Sequence, residues 1–287
     1  MIYTCVHAVR HHLYRSVLTQ SHTTKPGTAV VTGASSGIGK VYAERLAARG
    51  CDLVLVARRK ERLKEIADEL RARHSVKAEA LVADLSTPNG LSAVSDRLSA
   101  DASVSLLVNN AGFSALKPLT RTPDETVASM IALNVTALTA LSRAALIAFK
   151  GRNAGTIVNI GSGAGFSPYP DIPVYGATKA YVFLFTQSLQ HEVEGTAVRI
   201  QLVLPGAVVS EGWDVAGGGA LEPLPESIVM TTEDCVDAAL SGLDQGETIT
   251  APSLHDASLL SDYVDRSGLL LQAMFDAKPA ERYRSGG

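Results

Sequence analysis

From Gly27 onward, short apolar runs alternate with longer stretches in which apolar residues recur three and four positions apart. Residues 28–32 (TAVVT) form the first run, and 37–49 follow with helical spacing. Residues 52–57 (DLVLVA) form a second run, and 60–74 set a charged face against an apolar one, as on a surface helix. Further buried strands are expected at 79–83, 105–109, 156–160 and 198–204, with a last one at 247–250. Each pair is separated by enough chain for a crossover helix. Continuous apolar strands alternating with helices argue for a parallel sheet covered on both faces. The pattern therefore predicts one doubly wound α/β domain over 28–287, with about seven strands and ligand at their carboxyl ends.

Two segments break the rhythm. Residues 207–230 contain Gly217, Gly218, Gly219, Pro223, Pro225 and the only tryptophan, Trp213. A loop of that length inside a domain is expected to serve as a lid over a bound substrate. Thr231 to Asp234 then fits a capping box, so a helix should restart there. The first 27 residues are rich in His and Arg, with no acidic residue before Glu44. They read as a flexible or loosely docked extension; their His residues lack the acidic or Cys partners of a metal site.

Composition narrows the classes. Of 287 residues, 46% are hydrophobic and 19% charged, with a formal net charge of -3, which favours neither nucleic acid nor an anionic membrane as partner. No run of eighteen consecutive apolar residues suggests a membrane span. Cys5, Cys51 and Cys235 are odd in number and far apart, so a reducing, cytoplasmic setting is expected rather than a disulfide framework.

Candidate chemistry starts at the first turn. Thr32 to Gly39 (TGASSGIG) joins the first strand to the first helix, and Gly33, Gly37 and Gly39 permit a tight turn and close backbone approach. The following helix presents free N–H groups and a positive dipole end to a pyrophosphate. The second strand ends in Ala57-Arg58-Arg59-Lys60 with no carboxylate before Glu61. Cations there suit the 2′-phosphate of NADP(H), where an acidic residue would suit the ribose of NAD. Tyr175 and Lys179 lie four apart and share a helix face. An ammonium about 4 Å from a phenolate, at an effective dielectric of about 20, stabilises it by roughly 4 kcal/mol before desolvation. The phenol is thus expected to become a usable acid/base. Ser162 follows a strand end, and Asn134 is a polar residue in an apolar helix predicted over 130–148.

In their order, Thr32-Gly-x-x-x-Gly-x-Gly39, Asn109-Asn-Ala-Gly112, Asn134, Ser162, Tyr175-x-x-x-Lys179 and Pro205-Gly206 resemble the short-chain dehydrogenase/reductase family, from about Thr28 to Ser210. The resemblance implies a Rossmann sheet of seven strands, a homodimer or homotetramer, and an NADP(H)-dependent enzyme interconverting a small-molecule carbonyl and an alcohol. It implies Tyr175 as acid/base, Lys179 as its tuner and ribose anchor, Ser162 as the carbonyl's polariser, and Asn134 as holder of a relay water. Around the cofactor it implies Gly33, Ser35, Ser36, Gly37, Ile38, Gly39, Arg58, Arg59, Asp84 at the adenine, and Asn110, Ala111, Gly112, Pro205, Gly206, Val208 and Ser210. Ser36 stands where many NADP-using relatives carry Lys or Arg, which makes Arg58 the expected discriminator. Ser210 stands where threonine is usual. Phe113, Phe166, Tyr169 and Trp213 are candidates either for the pocket wall or for the core. The alternatives are a reductase of carrier-protein-bound 3-ketoacyl groups and a non-catalytic cofactor sensor on the same fold.

Overall fold

The computed structural model describes residues 26–169, 171–209 and 225–283. The extension before residue 26, Ser210, Trp213 and most of the expected lid lie outside them. The described residues 26–253 belong to one compact unit and 254–283 to a second, so the sheet unit closes at Ser253, short of the expected limit at 287.

The expected strands all form. They are β1 (Thr28–Thr32), β2 (Asp52–Ala57), β3 (Ala78–Val82), β4 (Val104–Asn109), β5 (Gly155–Ile160), β6 (Val198–Val203) and β9 (Ile249–Thr250). All pair in parallel, in the order β3-β2-β1-β4-β5-β6-β9. The chain reverses its direction of travel across the sheet between β1 and β4. That is the switch point where a crevice opens beyond the strand ends.

Strand residues are apolar on both sides because helices cover both faces. Ala29 and Val31 point into one core with helices α1 (Gly37–Ala48), α2 (Lys60–His74) and α7 (Thr232–Asp244). Val30 points into the other, with α3 (Pro88–Ala100), α5 (Leu138–Arg152) and α6 (Pro173–Glu192). Full burial of one such Val or Leu contributes about 1.5–3 kcal/mol. In α2, Leu63, Ile66, Ala67 and Leu70 are buried at helical spacing, and the helix stops at Ser75 in the left-handed region (φ 54). The helix restarts as expected, capped by Thr231, whose hydroxyl accepts the Asp234 N–H at 3.0 Å and donates to Asp234 Oδ2 at 2.6 Å in place of the return bond of a full capping box.

Three expectations need correcting. The apolar helix over 130–148 is one helical run of three pieces: α4 (Asp124–Ile131), a π-helical turn Ala132–Ala137, and α5. This run, Asp124–Arg152, is 29 residues long and reaches a mean hydropathy of 1.6 over eighteen residues, enough by length and composition to cross a membrane. Thr, Ser and Asn interrupt it, which hides it from a search for consecutive apolar residues. Half of that window is buried inside this fold. The segment 207–230 is not structureless at its ends: β7 (Ala207–Val208) pairs in parallel with β8 (Val229–Met230), and Thr232 Oγ1 donates to the Val209 carbonyl at 2.9 Å. Short ladders there form a neck joining the two ends of the loop.

Candidate active site

Thr32, at the end of β1, organises the cofactor end. Its hydroxyl donates to the Val108 carbonyl at 3.1 Å and accepts the N–H groups of Asn110 and Ala111 at 2.9 and 3.0 Å. Asn110 Nδ2 donates to the Thr32 carbonyl at 2.9 Å. The carboxyl ends of β1 and β4 are thereby clamped side by side. Asn110 sits under the glycine turn, where a Cβ on Gly39 would lie 2.4 Å from its Nδ2 and 2.4 Å from the Gly33 carbonyl oxygen. Gly33 and Gly37 hold positive φ, 67° and 53°. Ile38 packs partly buried against the core beside this turn. Ser36, the N-cap of α1, makes no side-chain cap, so its hydroxyl does not occupy the helix N-terminus.

The cations after β2 divide their work. Arg59 donates to Ser35 Oγ at 3.0 Å and to Ser36 Oγ at 2.6 Å. Arg58 is exposed and lies close enough to Asp84 to help hold its carboxyl below the usual carboxylate range, after the larger effect of hydrogen bonds from Ser86. Arg59, rather than Arg58, therefore groups with the two serines.

At the ends of β5 and β6 the candidate catalytic groups converge. Ser162 Oγ accepts the Ala164 N–H at 3.1 Å and lies beside Tyr175 on α6, close enough to favour its phenolate. Burial pushes the Tyr175 phenol above its ordinary value, and the Ser162 hydroxyl pulls it back only in part. One turn further along α6, Lys179 is buried, with Nζ donating to the Ile160 carbonyl at 2.9 Å and lying 5.7 Å from the centre of the Tyr175 ring. Desolvation lowers its ammonium to about 8. The expected dominance of Lys179 over the phenol is thus not met in this arrangement, because its charge is directed at β5 and burial outweighs it. Pro205 accepts the Gly163 N–H at 2.9 Å, Gly206 follows it on the surface, and Val208 is buried in β7.

Asn134 lies in the π-helical turn and is buried. Its Nδ2 donates to the Phe113 carbonyl at 2.9 Å and to Thr178 Oγ1 at 3.1 Å, and its Oδ1 accepts the Phe113 N–H at 3.1 Å. A Cβ on Gly112 would come 3.0 Å from that Oδ1. Asn134 thus ties the segment after β4 to the helix that carries Tyr175 and Lys179, with both amide hydrogens committed to protein. Of the aromatic candidates, Phe166 packs edge-on against Phe183 of α6 at 5.0 Å, Phe113 is half-buried, and Tyr169 is exposed.

Sequence reasoning missed a buried polar chain below the site. Asn109 Nδ2 donates to Ser142 Oγ and to Asn159 Oδ1, both at 2.9 Å, and Asn159 Nδ2 donates to Thr186 Oγ1 at 3.1 Å. It pins α6 to β4, β5 and α5, fixing the base on which Tyr175 and Lys179 stand. The signal was available: two Asn residues inside apolar strands need partners.

Residues 27–216 match the family model of short chain dehydrogenases. A very-long-chain 3-oxoacyl-CoA reductase from Danio rerio is 35% identical over 205 residues, covering 70% of this chain and 64% of that protein. The chain therefore spans less than two thirds of that relative's length. Among solved structures, a short-chain dehydrogenase from Sphingobium yanoikuyae in complex with NADPH is similar at TM-score 0.86 and 43% identity, over 90% of this chain and all of the other. A bulky-bulky ketone specific alcohol dehydrogenase from Comamonas testosteroni is similar at TM-score 0.84 and 38% identity, over 91% of this chain and all of the other.

Proposed function

From the premise that this chain belongs to the short-chain dehydrogenase family, we propose that it is an NADP(H)-dependent oxidoreductase that reduces bulky, apolar ketones. The observation that carries the chemistry is the convergence of Ser162, Tyr175 and the buried Lys179, whose Nζ lies 5.7 Å from the centre of the Tyr175 ring. The glycine turn fits a dinucleotide, since a Cβ at Gly39 would fill the space held by Gly33 and Asn110. Ser35, Ser36 and Arg59 form a donor cluster suited to a 2′-phosphate, and the solved relative from Sphingobium yanoikuyae holds NADPH. Asp84 and Asn110 would hold the adenosine side, and Val208 the nicotinamide side.

When bound, NADPH would supply the hydride for the carbonyl carbon. Ser162 donates a hydrogen bond to the carbonyl oxygen, where negative charge develops. Tyr175 gives that oxygen its proton. Lys179 stabilises the phenolate left behind once its ammonium faces that charge, and Asn134 keeps the segment after β4 and α6 in register while the proton is replaced from solvent.

Apolar side chains on the rim favour a bulky, apolar substrate. Leu119, Tyr169, Val209 and Ile228 are exposed, and their segments leave the carboxyl ends of β4, β5 and β6 or pair with β7. In an NADPH-oxidation assay, aryl ketones bulky on both sides should be reduced with higher kcat/KM than acetone or open-chain sugars. A preference for small polar carbonyls would overturn the substrate reading. The 3-oxoacyl reductase relatives favour a second reading, a 3-oxoacyl thioester, and a 3-oxoacyl-CoA included in the same assay separates the two. A homo-oligomer fits the exposed Ile147 and Leu184 on α5 and α6, and a reducing cytoplasm fits the buried free thiols Cys51 and Cys235.

Arg59→Ala should raise the Kd for NADPH about 10- to 100-fold, the worth of hydrogen bonds to a charged group at about 1.5–3 kcal/mol. NADH affinity should change by less than threefold. Equal losses for both, in a fluorescence titration, would remove Arg59 from the 2′-phosphate site.

A further inference from the structure

The turn that carries Ser162 meets α6 at two points where neither side chain exists. After β5 the chain makes a single turn of 3-10 helix, Gly163–Gly165, with Ser162 as its N-cap. The Gly165 and Phe166 N–H groups close it on the Ser162 and Gly163 carbonyls, at 3.1 and 3.2 Å. A Cβ on Gly165 would stand 2.8 Å from the Ala180 nitrogen, 2.8 Å from the Lys179 carbonyl carbon and 3.0 Å from its oxygen. One turn earlier on α6, a Cβ on Gly176 would stand 3.1 Å from the Ala164 carbonyl oxygen. Ala164 thus faces two ways. Its N–H is accepted by Ser162 Oγ at 3.1 Å, and its carbonyl lies over the residue that follows Tyr175. Both ends of the turn are fastened. The Pro205 carbonyl accepts the Gly163 N–H at 2.9 Å, and the Phe166 ring packs edge-on against Phe183 of α6, with 5.0 Å between centres.

Resting on the roles given above to Ser162 and Tyr175, we propose that Gly165 and Gly176 are positioning residues for the reduction, their missing side chains setting the separation of the Ser162 hydroxyl from the Tyr175 phenol. The three atoms nearest a Gly165 methyl are all backbone of α6, which cannot swing aside. The turn would have to retreat until those contacts reach 3.4 Å or more, the range of ordinary van der Waals contact. Fastened at Pro205 and at Phe183, it can retreat only by moving Ala164, and the hydroxyl that Ala164 holds goes with it. Misplacement of a reacting group by about 1 Å can cost about 10²-fold in rate. Gly176 limits the same approach from the helix side, directly beside Tyr175.

The test places each glycine variant in two backgrounds, wild type and Ser162→Ala, and measures reduction of an aryl ketone by NADPH. Gly165→Ala should lower kcat by about 10²-fold, with NADPH affinity within a few-fold. Gly176→Ala should lower kcat by about tenfold while Tm holds or rises, because alanine favours the helix that glycine weakens. In the Ser162→Ala background, itself slow, each glycine change should cost less than about threefold more, since the group being positioned is gone. In the oxidation direction, Gly165→Ala should also move the acid limb of kcat/KM to higher pH. Ser162 close by favours the phenolate, and that aid weakens as the turn retreats. Equal fold-losses in both backgrounds would overturn the proposal, because they would mark a general disturbance of α6. So would wild-type turnover in Gly165→Ala, or in Gly176→Ala should Gly165→Ala not fold. If Ser162→Ala alone keeps wild-type turnover, the role given to Ser162 fails first and the positioning falls with it.

Discussion

Tyr175→Phe should lower reduction turnover by about 10²–10⁴-fold while NADPH affinity stays within a few-fold, because the ring remains and only the proton donor is lost. No neighbour can take over. The Ser162 hydroxyl can donate a hydrogen bond but as an alcohol is a far weaker acid than a phenol, and Lys179 Nζ is anchored on the Ile160 carbonyl. The free-enzyme ammonium of Lys179 titrates at about 8, so kcat/KM for NADPH should fall above about pH 8 in wild type. The sign follows from burial, which favours the neutral amine; raising pH removes the charge that anchors ribose and steadies phenolate. Steady-state rates and fluorescence titration read the two quantities separately. Turnover surviving within a few-fold would show that Tyr175 is not the acid.

The sheet was legible because its strands are apolar on both faces and bounded by glycine or charge, and α2 falls on the expected 60–74 because its apolar period is clean. The site was legible where chemistry demands a fixed spacing, as in Tyr175 and Lys179 or the glycines of the first turn. It was not legible where a side chain acts through partners distant in sequence. Thr32 looks like any strand-end threonine until Asn110 and Ala111 are brought to its hydroxyl across 78 and 79 residues. The choice between Arg58 and Arg59 depended on which guanidinium turns back over Ser35, a matter of helix start geometry that adjacent cations do not encode. The π-helical turn sets Asn134 against Phe113 and Thr178, partners that periodicity alone does not reveal.

Gly39→Ala should raise the Kd for NADPH at least a hundredfold and lower Tm by several degrees. A methyl group there would stand 2.4 Å from the Gly33 carbonyl oxygen, 2.8 Å from its carbon and 2.4 Å from Asn110 Nδ2. Two of those atoms are backbone and cannot swing aside as a flexible side chain would. The start of α1 must therefore move away from the turn, and the Asn110 amide must release the Thr32 carbonyl it holds at 2.9 Å. Overpacking of this kind costs about 1–3 kcal/mol, which at roughly 2–4 °C per kcal/mol gives the fall in Tm. The loss of affinity has a different origin: the N–H groups of the turn and the helix dipole lose their common aim at the pyrophosphate. Gly151→Ala is the control. It lies on α5 with nothing within 4 Å of an added Cβ, so it should bind NADPH normally and gain up to about 1 kcal/mol from helix propensity. Calorimetry and a cofactor titration on both variants decide the matter: if Gly39→Ala binds NADPH within a few-fold of wild type, the glycine turn is not the phosphate cradle.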